Sequence, residues 1–106
     1  MIVDLLRNDL SKVCEIGSIE VPEILKLESY LKVHHLTSVI RGKLKKTKNW
    51  VDLLIACWPG GSITGAPKLR SCQRLNEIEK YGRGPYCGSF LKIDWNGEFD
   101  RNILIR

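Results

Sequence analysis

The chain has 106 residues, a length that fits one small domain with a modest core. Its apolar and charged fractions, 43% and 27%, are those of an ordinary globular protein, and its apolar runs are too short to span a bilayer. The first ten residues carry charged and amide side chains where a signal peptide would be apolar. The composition therefore predicts a soluble cytoplasmic protein with no membrane association.

The formal net charge of +5 is concentrated in a basic run between Arg41 and Lys48. Such a run can bind nucleic acid. Because no aromatic side chains interleave with it to stack on bases, a solvated loop with no nucleic-acid partner is the preferred interpretation. A small basic binding module without catalysis remains as an alternative.

The four cysteines, Cys14, Cys57, Cys72 and Cys87, include no C-x-x-C pair. This spacing argues against a zinc ribbon or a thioredoxin-type site. Each has apolar or small neighbours, so we expect buried, reduced thiols, which fit a reducing compartment.

In the first half of the chain, the apolar stripe from Met1 to Leu10 predicts a helix. A short strand is expected over Ile19 to Val21, where Pro22 should stop it. Two longer strands should follow, one over Ile24 to Tyr30 and one from Val33 to about Leu44.

In the second half, Asn49 is a plausible cap for a helix over Trp50 to Cys57, which Pro59-Gly60-Gly61 should end. Another helix should begin with Pro67 in its first position and run to about Tyr81. Two β-segments should close the chain, Tyr86 to Trp95 and Phe99 to Arg106, with a turn at Asn96-Gly97.

Both ends of the chain fall inside expected secondary structure. The first helix has no preceding cap, and the last strand, Phe99 to Arg106, stops at the apolar residues Ile103 to Ile105 and Arg106 with no closing element. We therefore expect residues 1–106 to be a partial domain, truncated at both ends.

The stretch from Pro59 to Arg70 is the strongest candidate for chemistry. A glycine-rich loop that leads into a helix N-terminus is typical of an anion site. The P-loop pattern fails, because Ala66-Pro67 stand where Lys-Ser/Thr should follow Gly65. From these residues alone, a tight structural turn is an equally good interpretation.

Two further features are ambiguous by themselves. His34 and His35 are adjacent, so on a strand their side chains point to opposite faces and cannot form a metal pair. Arg106 follows three large apolar residues, where burial would require an anionic partner such as a carboxylate. A solvent-exposed arginine at a sheet edge is the alternative. For Tyr86, a binding role and an ordinary structural role are equally compatible with the sequence.

Five motifs in order resemble the chorismate-binding domain shared by anthranilate, aminodeoxychorismate, isochorismate and salicylate synthases. They cover essentially the whole chain: MIVDLLRNDL (1–10), VHHL (33–36), PGGSITGAPK (59–68), RGPYCG (83–88) and the closing Ile105-Arg106. Within the family, Gly-Gly-Ser and the His-His pair look most like aminodeoxychorismate synthase component I. Anthranilate synthase component I is the alternative.

The resemblance implies an α/β (α+β) fold of two mostly antiparallel sheets with outer helices, and an active site in the cleft between the sheets. It implies amination of chorismate at C4 for folate synthesis, with ammonia from a glutamine amidotransferase subunit and Mg2+ as cofactor. By the same resemblance, His35 matches a histidine beside the departing hydroxyl. The matches to the substrate-binding residues are Ser62, Ile63, Thr64, Gly65, Tyr86 and Arg106.

Other family features lie outside the matching motifs. The metal-binding glutamates and the nucleophilic lysine of a Pro-Ile-Lys-Gly-Thr motif have no counterpart in residues 1–106. We therefore expect no metal ligands in this chain and no activity from the isolated chain.

Overall fold

The computed structural model describes residues 1–105, and these form two compact units, 1–49 and the residues from Trp50 onward. The first unit contains one helix and two strands: α1 (Ile2–Ser11), β1 (Glu20–Ser29) and β2 (His34–Arg41). The second contains three helices and two strands: α2 (Trp50–Cys57), α3 (Gly61–Thr64), α4 (Lys68–Ile78), β3 (Ser89–Ile93) and β4 (Phe99–Ile103). The expected mixture of helices and antiparallel strands is confirmed, with one two-stranded sheet in each unit.

The prediction that Pro22 stops a strand is wrong. Strand β1 runs through Pro22, and its register with β2 shifts between Glu20 and Glu23 and again before Lys26. Proline is tolerated at such irregularities, because its missing N–H is not needed in the ladder there. At the second irregularity Leu25 adopts φ 50°, and its N–H donates to the Ser38 hydroxyl at 2.9 Å.

Strand β2 ends at Arg41, before the predicted limit near Leu44. Leu44 instead forms an isolated bridge with Cys14, and the neighbouring Glu15 N–H donates to the Lys43 carbonyl at 2.8 Å. The Lys43 ammonium also lies 3.1 Å from the Glu15 carboxylate. This part of the basic run is therefore a loop that pairs with the segment after α1, as the loop interpretation predicted, and the absence of a nucleic-acid partner stays a prediction.

The core of the first unit is small. Asp9 on α1 and the adjacent Val13 and Cys14 are buried, and the Asp9 carboxylate accepts a bond from the Lys12 ammonium at 3.0 Å. Gly42 packs so closely that a Cβ there would lie 2.9 Å from the Cys14 sulfur. Of the four free cysteines, only Cys14 is buried, so the expectation of burial is wrong for the other three, which are half-buried.

In the second unit, α2 has the predicted bounds, but the region after it differs from the prediction. The single-turn helix α3 was not predicted. Pro67 caps α4 from an extended conformation (ψ 134°) and is not its first residue. Helix α4 ends at Ile78, three residues before Tyr81, because Glu79 is already extended (ψ 119°).

The β3–β4 hairpin confirms the turn at Asn96-Gly97, where Gly97 has φ 88°. The Asp94 N–H closes it on the Glu98 carbonyl at 2.8 Å. The prediction that β3 begins at Tyr86 is wrong, because residues 84–87 form a turn before it. No helix among residues 1–105 is long and apolar enough to cross a membrane.

Candidate functional site

The glycine-rich loop forms the short helix α3 against the last strand. Gly60 and Gly61 are buried, and a Cβ at Gly60 would lie 2.7 Å from the Ile103 methyl on β4. The Gly60 carbonyl accepts the Ile63 N–H and the Thr64 hydroxyl, both at 3.1 Å. The Thr64 hydroxyl is thus engaged within the loop, whereas the Ser62 side chain is exposed.

Gly65 ends this loop in a conformation that only glycine adopts readily. Its φ is 110° with ψ −172°, and its N–H donates to the Gly61 carbonyl at 2.9 Å. A Cβ at Gly65 would also approach the Ser71 hydroxyl to 3.1 Å. The glycines therefore let the loop fold tightly while Ser62 and Ile63 remain at its surface.

Tyr86 lies on the turn that precedes β3. The turn is closed by the Gly88 N–H, which donates to the Pro85 carbonyl at 2.8 Å. It is fastened to the chain after β4, since the Cys87 N–H donates to the Leu104 carbonyl at 2.8 Å and the Leu104 N–H to the Gly88 carbonyl at 3.0 Å. The Tyr86 side chain remains exposed.

Arg83 joins the loop, the turn and the end of α4. Its Nε donates to the Glu79 carboxylate at 2.8 Å, and its Nη1 donates to the Ile63 carbonyl at 3.3 Å. The hydrogen bond from Arg83 lowers the pKa of Glu79, and the same bond raises the pKa of Arg83. Sequence reasoning missed Arg83 as a site residue. The four-residue spacing from Glu79 was the available signal.

The glycine-rich loop, the end of α4 and the Tyr86 turn line an open surface pocket of about 660 Å³, which is in the size range of small-molecule sites. Three predicted residues, Ser62, Ile63 and Tyr86, line it. The other lining residues, none of which was predicted, are Glu79, Lys80, Tyr81, Arg83 and Cys87. Thr64 lines a smaller neighbouring pocket of about 220 Å³ that shares Ile63, Arg83, Tyr86 and Cys87. Its polar lining consists of the Ser62, Tyr81 and Tyr86 hydroxyl groups, the Lys80 ammonium, and the Arg83 guanidinium paired with the Glu79 carboxylate.

The two histidines lie on β2 in the first unit, on opposite faces as predicted. The His34 Nδ1 lies 3.0 Å from the Ser29 hydroxyl, whereas the His35 ring lies 5.3 Å from the Tyr30 ring. Both histidines are exposed. Arg106 lies outside the described residues, so its predicted role stays a prediction.

The side chains that Mg2+ prefers are dispersed in this structure. Among residues 1–105 no three His, Cys, Asp or Glu side chains are grouped so that they could hold a metal ion. The described residues therefore do not fit Mg2+ by themselves.

The second unit therefore carries an open pocket formed by the glycine-rich loop, the end of α4 and the Tyr86 turn. Residues 1–106 match the chorismate binding enzyme family over their whole length, and the chain belongs to that family. This membership favours an enzyme over a basic binding module.

The relatives include aminodeoxychorismate synthase of Arabidopsis thaliana, which is 53% identical over all of this chain and 12% of that protein. Aminodeoxychorismate synthase component 1 of Escherichia coli is 45% identical, with 23% of it covered. Anthranilate synthase component 1 of Bacillus subtilis is also 45% identical, with 21% of it covered. The chain thus spans less than a quarter of each of these relatives.

A solved structure supports the same fold. Anthranilate synthase component I from Streptococcus pneumoniae superposes with a TM-score of 0.91 at 39% identity. The match covers all of this chain and 24% of that one.

Proposed function

We propose that this chain is part of an aminodeoxychorismate synthase component I, which replaces the 4-hydroxyl of chorismate with ammonia for folate synthesis. The observation that carries the proposal is the pocket that brings Ser62 of the glycine-rich loop together with Tyr86, because the hydroxyl groups of both can donate to a substrate carboxylate. The printed names of the Arabidopsis thaliana and Escherichia coli relatives support the choice of reaction.

In this proposal the residues divide the work between binding and proton transfer. Ser62, Ile63, Thr64 and Gly65 form the loop beside a substrate carboxylate, and Tyr86 and Arg106 donate hydrogen bonds to it. His35 donates a proton to the departing hydroxyl, since hydroxide is a poor leaving group without one.

The longer protein would supply the other components. Mg2+ is proposed as cofactor, with ligands outside residues 1–106. A glutamine amidotransferase subunit is proposed as the ammonia source, which the designation component 1 of the bacterial relatives supports. The free cysteines support a reducing compartment, either the cytoplasm or the plastid named for the plant relatives.

A chimera tests the reaction. Residues 1–106 would replace the matching segment of the Escherichia coli relative, and the protein would be assayed with chorismate, ammonium and Mg2+. The proposal expects 4-amino-4-deoxychorismate without pyruvate. Anthranilate and pyruvate formed in step with chorismate loss would assign this segment to the anthranilate synthases instead, and a chimera that is folded but inactive would contradict both.

Two substitutions in the chimera test the binding roles. Arg106→Ala should leave a substrate carboxylate unpaired and cost about 2–5 kcal/mol of transition-state stabilisation. Tyr86→Phe removes one neutral hydrogen bond and should cost about 0.5–1.5 kcal/mol. Trp95→Phe is the control, because Trp95 is fully exposed at the hairpin turn. Unchanged catalytic efficiency in Arg106→Ala would remove Arg106 from the site.

A further inference from the structure

Three hydrogen-bonded side chains, those of Glu28, Tyr30 and Thr37, lie beside His35 on one face of the β1–β2 hairpin. Glu28 is the direct cross-strand partner of His35. One oxygen of its carboxylate, Oε2, accepts the Thr37 hydroxyl at 2.9 Å and the Tyr30 hydroxyl at 3.3 Å. Directly opposed residues and residues two apart share a face of a sheet, so all four side chains lie together.

Tyr30 makes the contact with the imidazole itself. The two ring centroids are 5.3 Å apart and the planes are inclined by 59°, a favourable arrangement for aromatic rings. Because the Tyr30 hydroxyl is held by Glu28, the phenol ring cannot swing away without losing a hydrogen bond. Thr37 is half-buried and holds the same carboxylate from the neighbouring strand.

An exposed histidine on a strand would otherwise sample several rotamers. A proton donor works only within hydrogen-bond reach of its acceptor and in the right direction, and small displacements are costly. The face of the hairpin that carries His35 therefore supplies what the side chain alone lacks, which is a restricted orientation.

We propose that Glu28, Tyr30 and Thr37 are positioning residues for His35, with Tyr30 as the direct contact and Glu28 as the anchor. This inference rests on the proposed role of His35 as proton donor. His34 is the natural control, because it lies on the opposite face and its ring contacts only the Ser29 hydroxyl among the hydrogen bonds described.

The geometry can be tested by NMR in the Escherichia coli chimera. His34→Gln and His35→Gln each remove one imidazole Hε1 signal and so assign the two histidines of residues 1–106. The His35 signal should carry a ring-current shift that Tyr30→Leu removes, whereas Ser29→Ala should leave it unchanged. If Tyr30→Leu does not move the His35 signal, the proposal is overturned whatever the activity of the enzyme.

The functional part is tested in the Escherichia coli chimera. His35→Gln should lower kcat roughly 10²- to 10⁴-fold. Tyr30→Leu should lower kcat roughly 10- to 100-fold with KM for chorismate unchanged, since it displaces the proton donor and not the substrate. Glu28→Ala should follow Tyr30→Leu, whereas Glu28→Gln should retain most activity because its amide oxygen still accepts both hydroxyls.

A double variant separates positioning from general stability. Tyr30→Leu combined with His35→Gln should be no slower than His35→Gln alone, because nothing is left to position. Multiplied losses would overturn the proposal. If His35→Gln itself leaves kcat unchanged, the proposed role of His35 as proton donor fails. The NMR result then decides separately whether Glu28, Tyr30 and Thr37 orient the His35 imidazole.

Discussion

Gly88 gives the sharpest test of how the Tyr86 turn is built. Its N–H donates to the Pro85 carbonyl at 2.8 Å, and a Cβ at Gly88 would lie 2.6 Å from that same oxygen. Ordinary contact begins at 3.4 Å, so Gly88→Ala requires the backbone oxygen to retreat by 3.4 − 2.6 = 0.8 Å. The turn cannot relax freely, because Leu104 holds it on both sides through Cys87 and Gly88.

We expect Gly88→Ala to destabilise the second unit by about 1–3 kcal/mol, the usual cost of forcing a methyl group into a packed site. Gly82→Ala is the matched control. A Cβ at Gly82 meets nothing within 4 Å and its φ is outside the left-handed region, so the change should be neutral or stabilise by about 0.4–1 kcal/mol.

Thermal unfolding of the chimera measures the stability of both variants. In the chimera Gly88→Ala should also raise KM for chorismate, because the turn that carries Tyr86 is displaced. Equal stability of the two alanine variants would refute the described geometry of the turn.

Two pH-dependent measurements test other parts of the fold. Burial raises the pKa of the Cys14 thiol above 9.0, so Cys14 should be alkylated more slowly than Cys87 below pH 9. The part of the free energy of unfolding that comes from this raised pKa is fully present below pH 9. It is lost as the pH rises through the raised pKa of the folded state. Equal alkylation rates would contradict the burial of Cys14. The hydrogen bond from Arg83 holds the pKa of Glu79 below 4.5. The stability that this hydrogen bond contributes is therefore fully present above pH 4.5 and is lost as the pH falls through the lowered pKa of the folded state. Carbon-13 NMR of the Glu79 carboxyl should show a titration midpoint below 4.5, and Arg83→Gln should return the midpoint towards 4.5. A midpoint that Arg83→Gln leaves unaltered would argue against the Arg83–Glu79 pair.

Local patterns predicted the helices better than the strands. Helices α1 and α2 follow from apolar residues with a 3.6-residue period, which is a property of a short stretch of sequence. Strand β1 was divided incorrectly at Pro22, because the pairing with β2 decides where an irregularity is tolerated. The pairs on either side of Pro22, Glu23 with Val39 and Glu20 with Arg41, are 16 and 21 residues apart in the chain, beyond the reach of local propensity.

The sequence also predicted only some of the residues that line the candidate pocket. Ser62 and Tyr86 were predicted because they lie in motifs of fixed spacing; the structure groups them in one pocket, and their substrate-binding roles stay predictions. Arg83 was missed although it lies in the same motif as Tyr86. Its contacts with Glu79 and Ile63 depend on where α4 ends, and α4 ends three residues earlier than predicted.

Each unit supports its motif side chain in a comparable manner. Tyr86 is carried by a turn beside the Arg83–Glu79 ion pair, and His35 lies against a tyrosine held by Glu28. In both units a carboxylate outside the family motifs lies close by: Glu79, seven residues before Tyr86, accepts hydrogen bonds from Arg83, and Glu28, directly across the strand from His35, accepts the Tyr30 hydroxyl. Motifs therefore identify the side chains proposed to meet the substrate, whereas only the fold reveals the charged groups that lie beside them. In the chimera, substitution of Glu28 should consequently alter the orientation of His35 without removing a side chain that is proposed to contact the substrate.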